Sequence, residues 1–549
     1  MLLLSKYKVE LGVAQQNQIM EKKVMSRSPL PPSVQTKQFK QLQNQLRDRW
    51  QSVDVFDQDD YDILVIPSFS IDQHQGEKIP GFLHYEERML FSLIRLRNPY
   101  TRLIYLTALP LSPLIIEYYL QLLPGIPFSH ARNRLLLLSA DDASFKPLSQ
   151  KILERPRLVE RIRKALRPHK SYMVCFNSTL LEQELSLQFN VPLLASSPDL
   201  LYWGSKSGSR EIFAQCGIPH PDGTPQVWNS EDLVVAINQL WQRHPHLAKM
   251  VVKLNEGFSG EGNALLDLKQ IQNYAPKQAS QAETSQAITN HLPNLRFQAK
   301  GETWSNFQES ITKLGAIVEV FIEGEIKRSP SVQGYITPNG EVNILSTHDQ
   351  ILGGVDGQIY LGCSFPADAA YRLQLQTLGA KVGDFLAAKG ALERFGVDFV
   401  AVQQQDSWEM QAIEINLRKG GTTHPFMALK LLTSGNYDLS TGLFFSQDHQ
   451  AKYYIATDNL QKESYQGLLP ADLMEIIACH RLNFDSSTRT GNVFHLMGAL
   501  SQYGKLGLIS IGNSREEAET IYQEVEEVLD RETQSLNPVA KSSLPITWM

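Results

Sequence analysis

Residues 61–200 alternate between short apolar runs and segments in which apolar residues recur at helical spacing, such as 85–97 and 113–123. Continuous apolar runs are typical of strands that are buried on both faces. The runs lie at residues 63–66, 102–107, 135–138, 172–176 and 191–195. Because strands here alternate with helices, we predict an α/β domain with a mainly parallel sheet over residues 61–200.

Residues 201–435 have a different pattern. A helix beginning near Ser207 ends at Gly217, and further along Pro338-Asn339-Gly340 predicts a hairpin turn. The other predicted elements are strands at 249–254 and 316–322, the hairpin at 331–346 and a helix at 369–389. The polar stretch 273–292 is interpreted as a flexible insertion. This mixture of helices and paired strands predicts a second domain.

The two ends of the chain are treated as separate regions. Residues 1–60 are polar and rich in Gln, and we interpret them as a leader with one helix at 38–50. Residues 436–549 form a third domain, with alternation typical of a hairpin at 490–511 and a long acidic helix at 514–532.

The run Glu414-Ile415-Asn416-Leu417-Arg418 suggests a specific chemistry. In a strand, Glu414, Asn416 and Arg418 point to one face, because side chains alternate with a period of two. Asp398 lies in another apparent strand, and a hairpin across residues 403–410 would bring it to the same place. Carboxylate and amide oxygens suit Mg²⁺, which proteins usually hold together with substrate phosphates. The run therefore predicts nucleotide-phosphate chemistry.

Composition narrows the class of protein. The 549 residues are 42% hydrophobic and 20% charged with a net charge of −6, which is typical of a soluble protein and gives no reason to expect nucleic acid as a partner. Four widely spaced cysteines predict neither a disulfide framework nor a zinc site. No apolar run is long enough for a membrane span, and no signal peptide is evident. We expect a cytoplasmic protein.

Three further features are weak when taken singly. Lys253 ends a strand before the loop Gly257–Gly262, where glycines allow backbone N–H groups to approach a phosphate. Such a loop is equally typical of a structural turn. Lys206 precedes a helix and by itself predicts only a surface lysine. Glu319 lies in a strand that ends at Glu323-Gly324-Glu325, which favours either an adenine and ribose site or an ordinary core strand with exposed acids.

Together, these residues occur in an order and spacing that resemble the ATP-grasp superfamily of ligases. The resemblance covers residues 200–435. The string Glu414–Pro425, the N-terminal α/β region and the segment 491–512 are similar to the pheganomycin-type peptide ligase branch, which contains carboxylate–amine ligases. The fold that this implies is α/β and α+β multidomain, with a pre-ATP-grasp domain, an ATP-grasp domain of two α+β lobes and a small C-terminal α/β domain.

The resemblance also implies roles for individual residues. Arg418 and Lys253 would act in catalysis, with Arg418 facing the transferring phosphoryl group. Asp398, Glu414 and Asn416 would bind Mg²⁺, with two ions expected and Mn²⁺ as an acceptable substitute. The residues implied in ATP binding are Lys206 and Lys253 at the phosphates, Gly257, Ser259, Gly260 and Gly262 in a flexible lid, Glu319 and Phe321 at the adenine, and Glu323 or Glu325 at the ribose.

The implied reaction is amide or peptide-bond formation through an acylphosphate, with release of ADP and phosphate. Its substrates would be a small carboxylate and an amine, such as an amino acid or a peptide. A homodimer is a possible assembly of the protein. The substrate side would include the region from Lys327 to Gln350. His424 would act as a base for the amine or would order its loop, and we favour the second role.

The sequence departs from the family pattern at two positions. Leu254 stands where many relatives have a proline, and Gly396-Val397 stand where many have an arginine, so we expect Arg394 to replace that arginine or the contact to be absent. An alternative function is a nucleotide-binding regulatory protein that keeps the fold without turnover. A dinucleotide-dependent oxidoreductase ranks last, because Pro67-Ser68-Phe69-Ser70 replaces the glycine fingerprint after the first strand.

Overall fold

In the computed structural model, residues 32–50, 60–71, 73–123, 125–257, 260–354 and 356–536 are described. Most of the predicted leader lies outside these residues. Its helix is α1 (Pro32–Arg49), somewhat longer than expected. Trp50 follows α1, and its ring stacks on Tyr335 with 6.0 Å between centroids.

The N-terminal domain has the predicted parallel sheet. Its strands are β1 (Asp62–Ile66), β2 (Arg102–Thr107), β3 (Leu135–Ser139) and β4 (Ser171–Cys175), in the order β3-β2-β1-β4. All three pairings are parallel. The prediction of a strand at 191–195 is wrong, because this segment makes only a single bridge from Leu193 to Met173. Pro192 has no N–H group with which to extend the ladder.

Helices cover the N-terminal sheet. The α-helices are α2 (Gln73–Glu77), α3 (Pro113–Gln121), α4 (Phe128–Arg132), α5 (Leu148–Leu153), α6 (Pro156–Ala165) and α7 (Leu180–Phe189). A 3-10 helix, Phe82–Arg97, occupies the segment for which helical periodicity was noted, and nearly all of its side chains are buried. This helix therefore packs against the protein interior on several of its sides, and not along a single apolar stripe.

The second domain begins with a small antiparallel sheet. Its strands are β5 (Lys249–Leu254), β6 (Asn263–Asp267), β7 (Arg296–Phe297) and β8 (Ala316–Val320), in the order β7-β6-β5-β8. The accompanying helices are α8 (Lys206–Gln215), α9 (Ser230–Arg243), α10 (Gln281–His291) and α11 (Trp304–Leu314), with 3-10 helices at Pro198–Gly204, Leu268–Tyr274 and Leu292–Asn294.

The prediction of a flexible insertion at 273–292 is wrong. Residues 281–291 form α10, which begins with a capping box between Ser280 and Glu283. Ala287 and Ile288 of this helix are buried in the core of the small lobe, which consists of the sheet β7-β6-β5-β8 and the helices packed on it. The polar composition hid this helix, because only a narrow stripe of it faces the core.

An eleven-stranded sheet holds the rest of the second domain and the C-terminal strands. Its strands are β9 (Lys327–Arg328), β10 (Pro330–Ile336), β11 (Val342–Gly353), β12 (Ile359–Phe365), β13 (Glu393–Gln404), β14 (Ser407–Asn416), β15 (Asn436–Asp438), β16 (Leu443–Phe445), β17 (Ala451–Gln461), β18 (Gly491–His495) and β19 (Lys505–Gly512). The main path is β14-β13-β10-β11-β12-β17-β16-β15, and β19 joins β17 to β18. The helices are α12 (Arg372–Ala388), α13 (Thr423–Thr433), α14 (Pro470–His480), α15 (Leu500–Tyr503) and α16 (Arg515–Leu536), with 3-10 helices at Glu463–Tyr465 and Met497–Ala499.

The C-terminal region contacts the N-terminal domain as well as the large sheet. Phe494 on β18 donates its N–H to the Tyr118 hydroxyl at 3.0 Å, and its carbonyl accepts from Tyr119 at 3.1 Å. Residues from both ends of the chain share one apolar core. The mixed α/β and α+β class is confirmed, with the C-terminal strands hydrogen-bonded to the sheet that carries Asp398 and Glu414. Among the described residues, no helix combines the length and apolar character needed to cross a bilayer.

Candidate active site

The hairpin β13–β14 brings the predicted metal-binding residues together. Asp398 stands directly opposite Glu414, and Gly396 stands opposite Asn416, with a β-bulge after Asp398. Asn416 Nδ2 donates to Asp398 Oδ2 at 2.9 Å. Opposed residues in an antiparallel pair share a face. The two carboxylates and the amide therefore form one group at the end of the hairpin.

Asp398 is under electrostatic strain in this group. Burial, together with the neighbouring charge of Glu414, raises its pKa to about 7. Gln350 Nε2 donates to Asp398 Oδ1 at 2.7 Å, which offsets part of this effect. A cation between the two carboxylates would relieve their repulsion, so the residues present fit a divalent metal ion of the Mg²⁺ type.

Lys206 joins this group from the start of α8. Its Nζ lies 2.9 Å from Glu414 Oε1 and donates to the Gly257 carbonyl at 3.2 Å. Ser205 caps the helix by accepting from the Gly208 N–H. Lys206 is buried, so the interpretation as an ordinary surface lysine is excluded.

Lys253 is held by a second buried ion pair. Its Nζ lies 2.6 Å from Glu319 Oε2, and Arg210 Nη1 lies 2.8 Å from Glu319 Oε1. Burial would raise the pKa of Glu319, but the two cations outweigh it and hold the pKa below its usual range. The Glu319 side chain thus orients Lys253, and its backbone faces Val251 on β5, so neither is free for the predicted adenine contact.

The glycine loop closes one side of the site. Gly260 has a φ of +79°, and a Cβ there would lie 2.0 Å from the Gln358 carbonyl. Asn263 also donates to Gln358 Oε1 at 3.0 Å. The turn between β11 and β12 therefore meets the loop across the opening. Gly257 and Gly262 lie at the base of the loop and face each other, and Ser259 lies outside the described residues.

Several of these groups share one cleft of about 640 Å³, whereas Lys206, Gly257 and Gly262 do not line it. Lys253, Gly260, Glu319, Phe321, Asp398, Glu414, Asn416 and Arg418 all line it. Glu323 lines an adjoining cavity of about 260 Å³ next to Phe321. Glu325 is exposed and lines neither cavity. Glu323 is also exposed and does not line the main cleft, so the ribose role of either residue stays a prediction.

Arg418 lies two residues beyond the end of β14, beside the carboxylates. Burial lowers its pKa, while the charge of Glu414 opposes that effect. Six residues of the predicted substrate region also line the cleft: Lys327, Arg328, Ser329, Gln333, Asp349 and Gln350. The cleft thus extends from the group around Asp398 and Glu414 to the predicted substrate region.

The expected replacement by Arg394 is not observed. Its guanidinium lies 5.7 Å from the centroid of the Tyr335 ring and contacts Met427 Sδ, and Arg394 does not line the cleft. On β13, Arg394 is on the same face as Asp398, because four residues separate them, but it lies about 13 Å further along the strand. Arg394 therefore does not supply the expected contact in this cleft.

Arg88 and Asp458 also line the cleft, and sequence analysis missed both. Asp458 Oδ1 lies 3.1 Å from His424 Nε2 and 2.7 Å from His495 Nε2. Burial lowers the pKa of His424 to about 4. His424 does not line the cleft, which favours the ordering role over that of a base. The sequence signal that could have identified Arg88 as a cleft residue is the charged group Glu86-Glu87-Arg88 inside an otherwise apolar segment.

Comparisons with known proteins agree with this geometry. Residues 200–440 match the family described as IQCH-like, ATP-grasp, and residues 472–525 match the PGM1 C-terminal domain. IQ motif-containing protein H of Danio rerio is 21% identical over 535 residues, covering 88% of this chain and half (50%) of that protein. The biotin carboxylase domain of the Hydrogenobacter thermophilus 2-oxoglutarate carboxylase, solved with MgADP, ADP and bicarbonate, aligns with a TM-score of 0.50 at 12% identity. That alignment covers 83% of this chain and 87% of that one, and it shows the fold alone.

A stronger match defines the family. The L-propargylglycine–L-glutamate ligase of Streptantibioticus cattleyicolor is 31% identical over 467 residues, which cover 83% of this chain and 91% of that enzyme. The family model, this relative and the residues that line the cleft therefore lead to the same conclusion. The chain belongs to the ATP-grasp superfamily, in the family of carboxylate–amine ligases that includes the L-propargylglycine–L-glutamate ligase.

Proposed function

We propose that this chain uses ATP to join a small carboxylic acid to an amine, with an amino acid as at least one of the two substrates. The observation that carries the proposal is the 2.9 Å contact of Lys206 with Glu414, which lines a cleft together with Lys253 and Asp398. These groups come from three distant parts of the chain. Two lysines beside paired carboxylates suit a nucleotide triphosphate with its metal ions.

Asp398, Glu414 and Asn416 would hold the metal, with two Mg²⁺ ions expected and Mn²⁺ as a substitute. When bound, the metal would neutralise charge on the phosphates. Glu414 lies opposite Asp398 and 2.9 Å from Lys206, so it would hold the metal beside the lysine proposed for the phosphates. The raised pKa of Asp398 supports this proposal, because burial and the charge of Glu414 outweigh the nearby cations Arg418 and Lys206.

The chain's own residues would mainly position the reactants. Lys206 and Lys253 would contact the phosphates, and the loop Gly257–Gly262 would exclude water from the reactive acylphosphate. Phe321 would border the adenine, with Glu323 at the ribose, while Glu319 would act by orienting Lys253. Arg418 presents a planar group of donors that matches a carboxylate or phosphoryl group. It would hold the carboxylate as it attacks the γ-phosphate and then the acylphosphate as the amine displaces phosphate.

The test is the release of ADP from ATP in a screen of amino acids combined in pairs. Wild-type chain is expected to release ADP only when a carboxylate and an amine are both present. Glu414→Gln should lower this rate by at least about 1,000-fold, because the metal site loses its central charge. Glu341→Gln, an exposed carboxylate in the turn before β11, is the control and should retain the full rate.

The outcomes separate the ligase from the alternative function. Near-normal ADP release by Glu414→Gln would contradict the assigned metal site. ATP binding without turnover across the whole screen would select a regulatory protein that keeps the fold. The preserved set of Lys206, Lys253, Asp398, Glu414 and Asn416 favours the ligase, because a binding scaffold does not need both lysines and all three metal-binding oxygens.

A further inference from the structure

Arg88 brings a positive charge from the N-terminal domain into the cleft. It lies in the 3-10 helix Phe82–Arg97 and is 3% exposed. Its guanidinium carbon is 4.4 Å from the ring centroids of both Tyr85 and Phe176, and 5.6 Å from that of Phe69. Packing against these rings restrains the guanidinium.

One edge of this guanidinium has no partner among the described residues. Nη1 donates to Asp458 Oδ2 at 3.3 Å, but Nε and Nη2 make no hydrogen bond. Nε–H and Nη2–H lie on the same edge of the planar group and point in parallel. Buried hydrogen-bond donors almost always have an acceptor, so two neighbouring buried donors without one require an explanation. A carboxylate is the ligand whose two oxygens match this edge.

The position of Arg88 is maintained from the opposite side of the cleft. Asp458, on β17, accepts from His495 and His424, which belong to β18 and α13. Burial would raise the pKa of Asp458, but His424, His495 and Arg88 hold it well below its usual range. Asp458 therefore stays ionised and fixes the Nη1 end of the guanidinium. The other edge is left for a ligand.

A metal ion is a less suitable occupant of this cluster. The ligand atoms of His424, Asp458 and His495 lie within 4.8 Å of one another, which is close enough to share a cation. Arg88, however, already places a full positive charge on the same carboxylate. Lys505 contributes a second cation nearby, bonded to the Tyr85 hydroxyl at 2.9 Å. A dication would meet both charges at short range, so the surroundings favour an anion.

Arg88 and Arg418 define two different positions in the cleft. Arg418 follows the metal-binding strand, whereas Arg88 is bonded to Asp458 and lies among aromatic rings. Tyr85, Asp458 and Asn459 line the cleft together with Arg88. The nearby carboxylates are already engaged: Asp458 pairs with Arg88 and two histidines, and Glu261 acts on Tyr85 and Lys505 through its charge. The unpaired edge of Arg88 remains available for an added anion.

We propose that Arg88 binds a substrate carboxylate that does not react, while Arg418 serves the carboxylate that is activated. This inference rests on the proposed ligase function and specifies its substrates: one of them carries a carboxylate that survives the reaction, as an amino acid does. The surviving carboxylate belongs either to the acid or to the amine component. In both cases the bidentate contact with Arg88 would select that substrate over its amide.

The test measures binding by calorimetry in the presence of Mg²⁺ and a non-hydrolysable ATP analogue. The probes are L-glutamate and L-propargylglycine, and each is compared with the form in which its α-carboxylate is an amide. Wild-type chain is expected to bind at least one free acid about 30-fold more tightly than its amide, as is typical of a buried charge-assisted contact. The probe that shows this difference identifies the source of the carboxylate.

Variants assign the difference to Arg88. Arg88→Met should remove the preference for the free acid, and Arg88→Lys, which keeps the charge without the planar edge, should restore only part of it. Arg95→Met is the control, because Arg95 is on the same helix, bonds to the Tyr172 hydroxyl and does not line the cleft. Binding of the ATP analogue by each variant shows that the fold is intact.

The proposal is overturned if Arg88→Met binds the acids and amides as wild type does, or if wild type shows no preference for either free acid. These outcomes are distinct from a failure of the ligase function. Loss of ADP release in every combination of substrates would refute turnover, while an Arg88-dependent preference for a free carboxylate would still be measurable by binding alone.

Discussion

Glu319 is the residue that connects phosphate binding to the small sheet. It is 2% exposed and neutralises two cations, Lys253 and Arg210, which approach it within 2.8 Å. A buried carboxylate with two partners cannot be removed without leaving both charges unpaired. Its side chain therefore contributes to stability and also sets the position of the lysine.

We expect Glu319→Gln to lower the free energy of unfolding by about 3 kcal/mol, because Lys253 and Arg210 remain buried without a counter-charge. It should also weaken ATP binding, since Lys253 loses its orientation. Urea denaturation and nucleotide titration measure the two effects. Glu323→Gln, at an exposed position in the same segment, should leave stability unchanged. Wild-type stability in Glu319→Gln would show that the ion pairs do not contribute.

At the scale of elements, the glycine loop and the β11–β12 turn close the cleft from opposite sides. Gly260 meets Gln358 so closely that no side chain fits between them. Asp356 in the same turn accepts from Gln298 at 2.7 Å and pairs with Arg296. The turn is thus attached to the small lobe, although it belongs to the large sheet.

Gly260→Ala should prevent this closure, because its Cβ would collide with a backbone carbonyl. We expect the KM for ATP to rise by about tenfold and ADP release without amine to increase, as water enters the site. Gly301→Ala is a matched control, because Gly301 has a similar φ of +77° but nothing within 4 Å of a Cβ. Equal effects of the two substitutions would indicate backbone strain instead of closure.

At the scale of the whole molecule, the C-terminal strands complete both the sheet and the cleft. β17 pairs with β12, and Tyr454 stacks on Phe365 with 5.0 Å between ring centroids. Asp458 reaches the cleft from the same strand. The N-terminal domain, the second domain and the C-terminal region therefore depend on one another, because they share one core and one site.

A chain ending at residue 440 should consequently fail to fold cooperatively, because β12 would become an exposed edge and a large apolar surface would lose its cover. Circular dichroism on heating and limited proteolysis measure this. Co-expression of residues 441–549 as a separate chain should restore folding and ATP-analogue binding. A stable, nucleotide-binding truncated chain would contradict the dependence.

Local patterns in the sequence were sufficient for much of the fold and part of the site. Continuous apolar runs predicted the parallel N-terminal sheet, and period-two alternation placed Asp398, Glu414 and Asn416 on one face of a hairpin. Both inferences depend on residues close in the chain, for which backbone geometry dictates the outcome. The same reasoning was wrong for 191–195 and 273–292, where a proline and a narrow apolar stripe changed the result.

Which distant charged residues share the cleft depends on how the sheets pack together in the folded chain. The pairing of Lys253 with Glu319 and Arg210, and of Arg88 with Asp458, His424 and His495, joins residues that are far apart in sequence. No local periodicity encodes such contacts, because they arise from the packing of separate sheets. Local sequence patterns thus predicted a nucleotide-phosphate chemistry and the hairpin that is proposed to hold the metal. Packing determined how the lysines are oriented and where a second carboxylate can bind, since buried charges must find their partners across the fold.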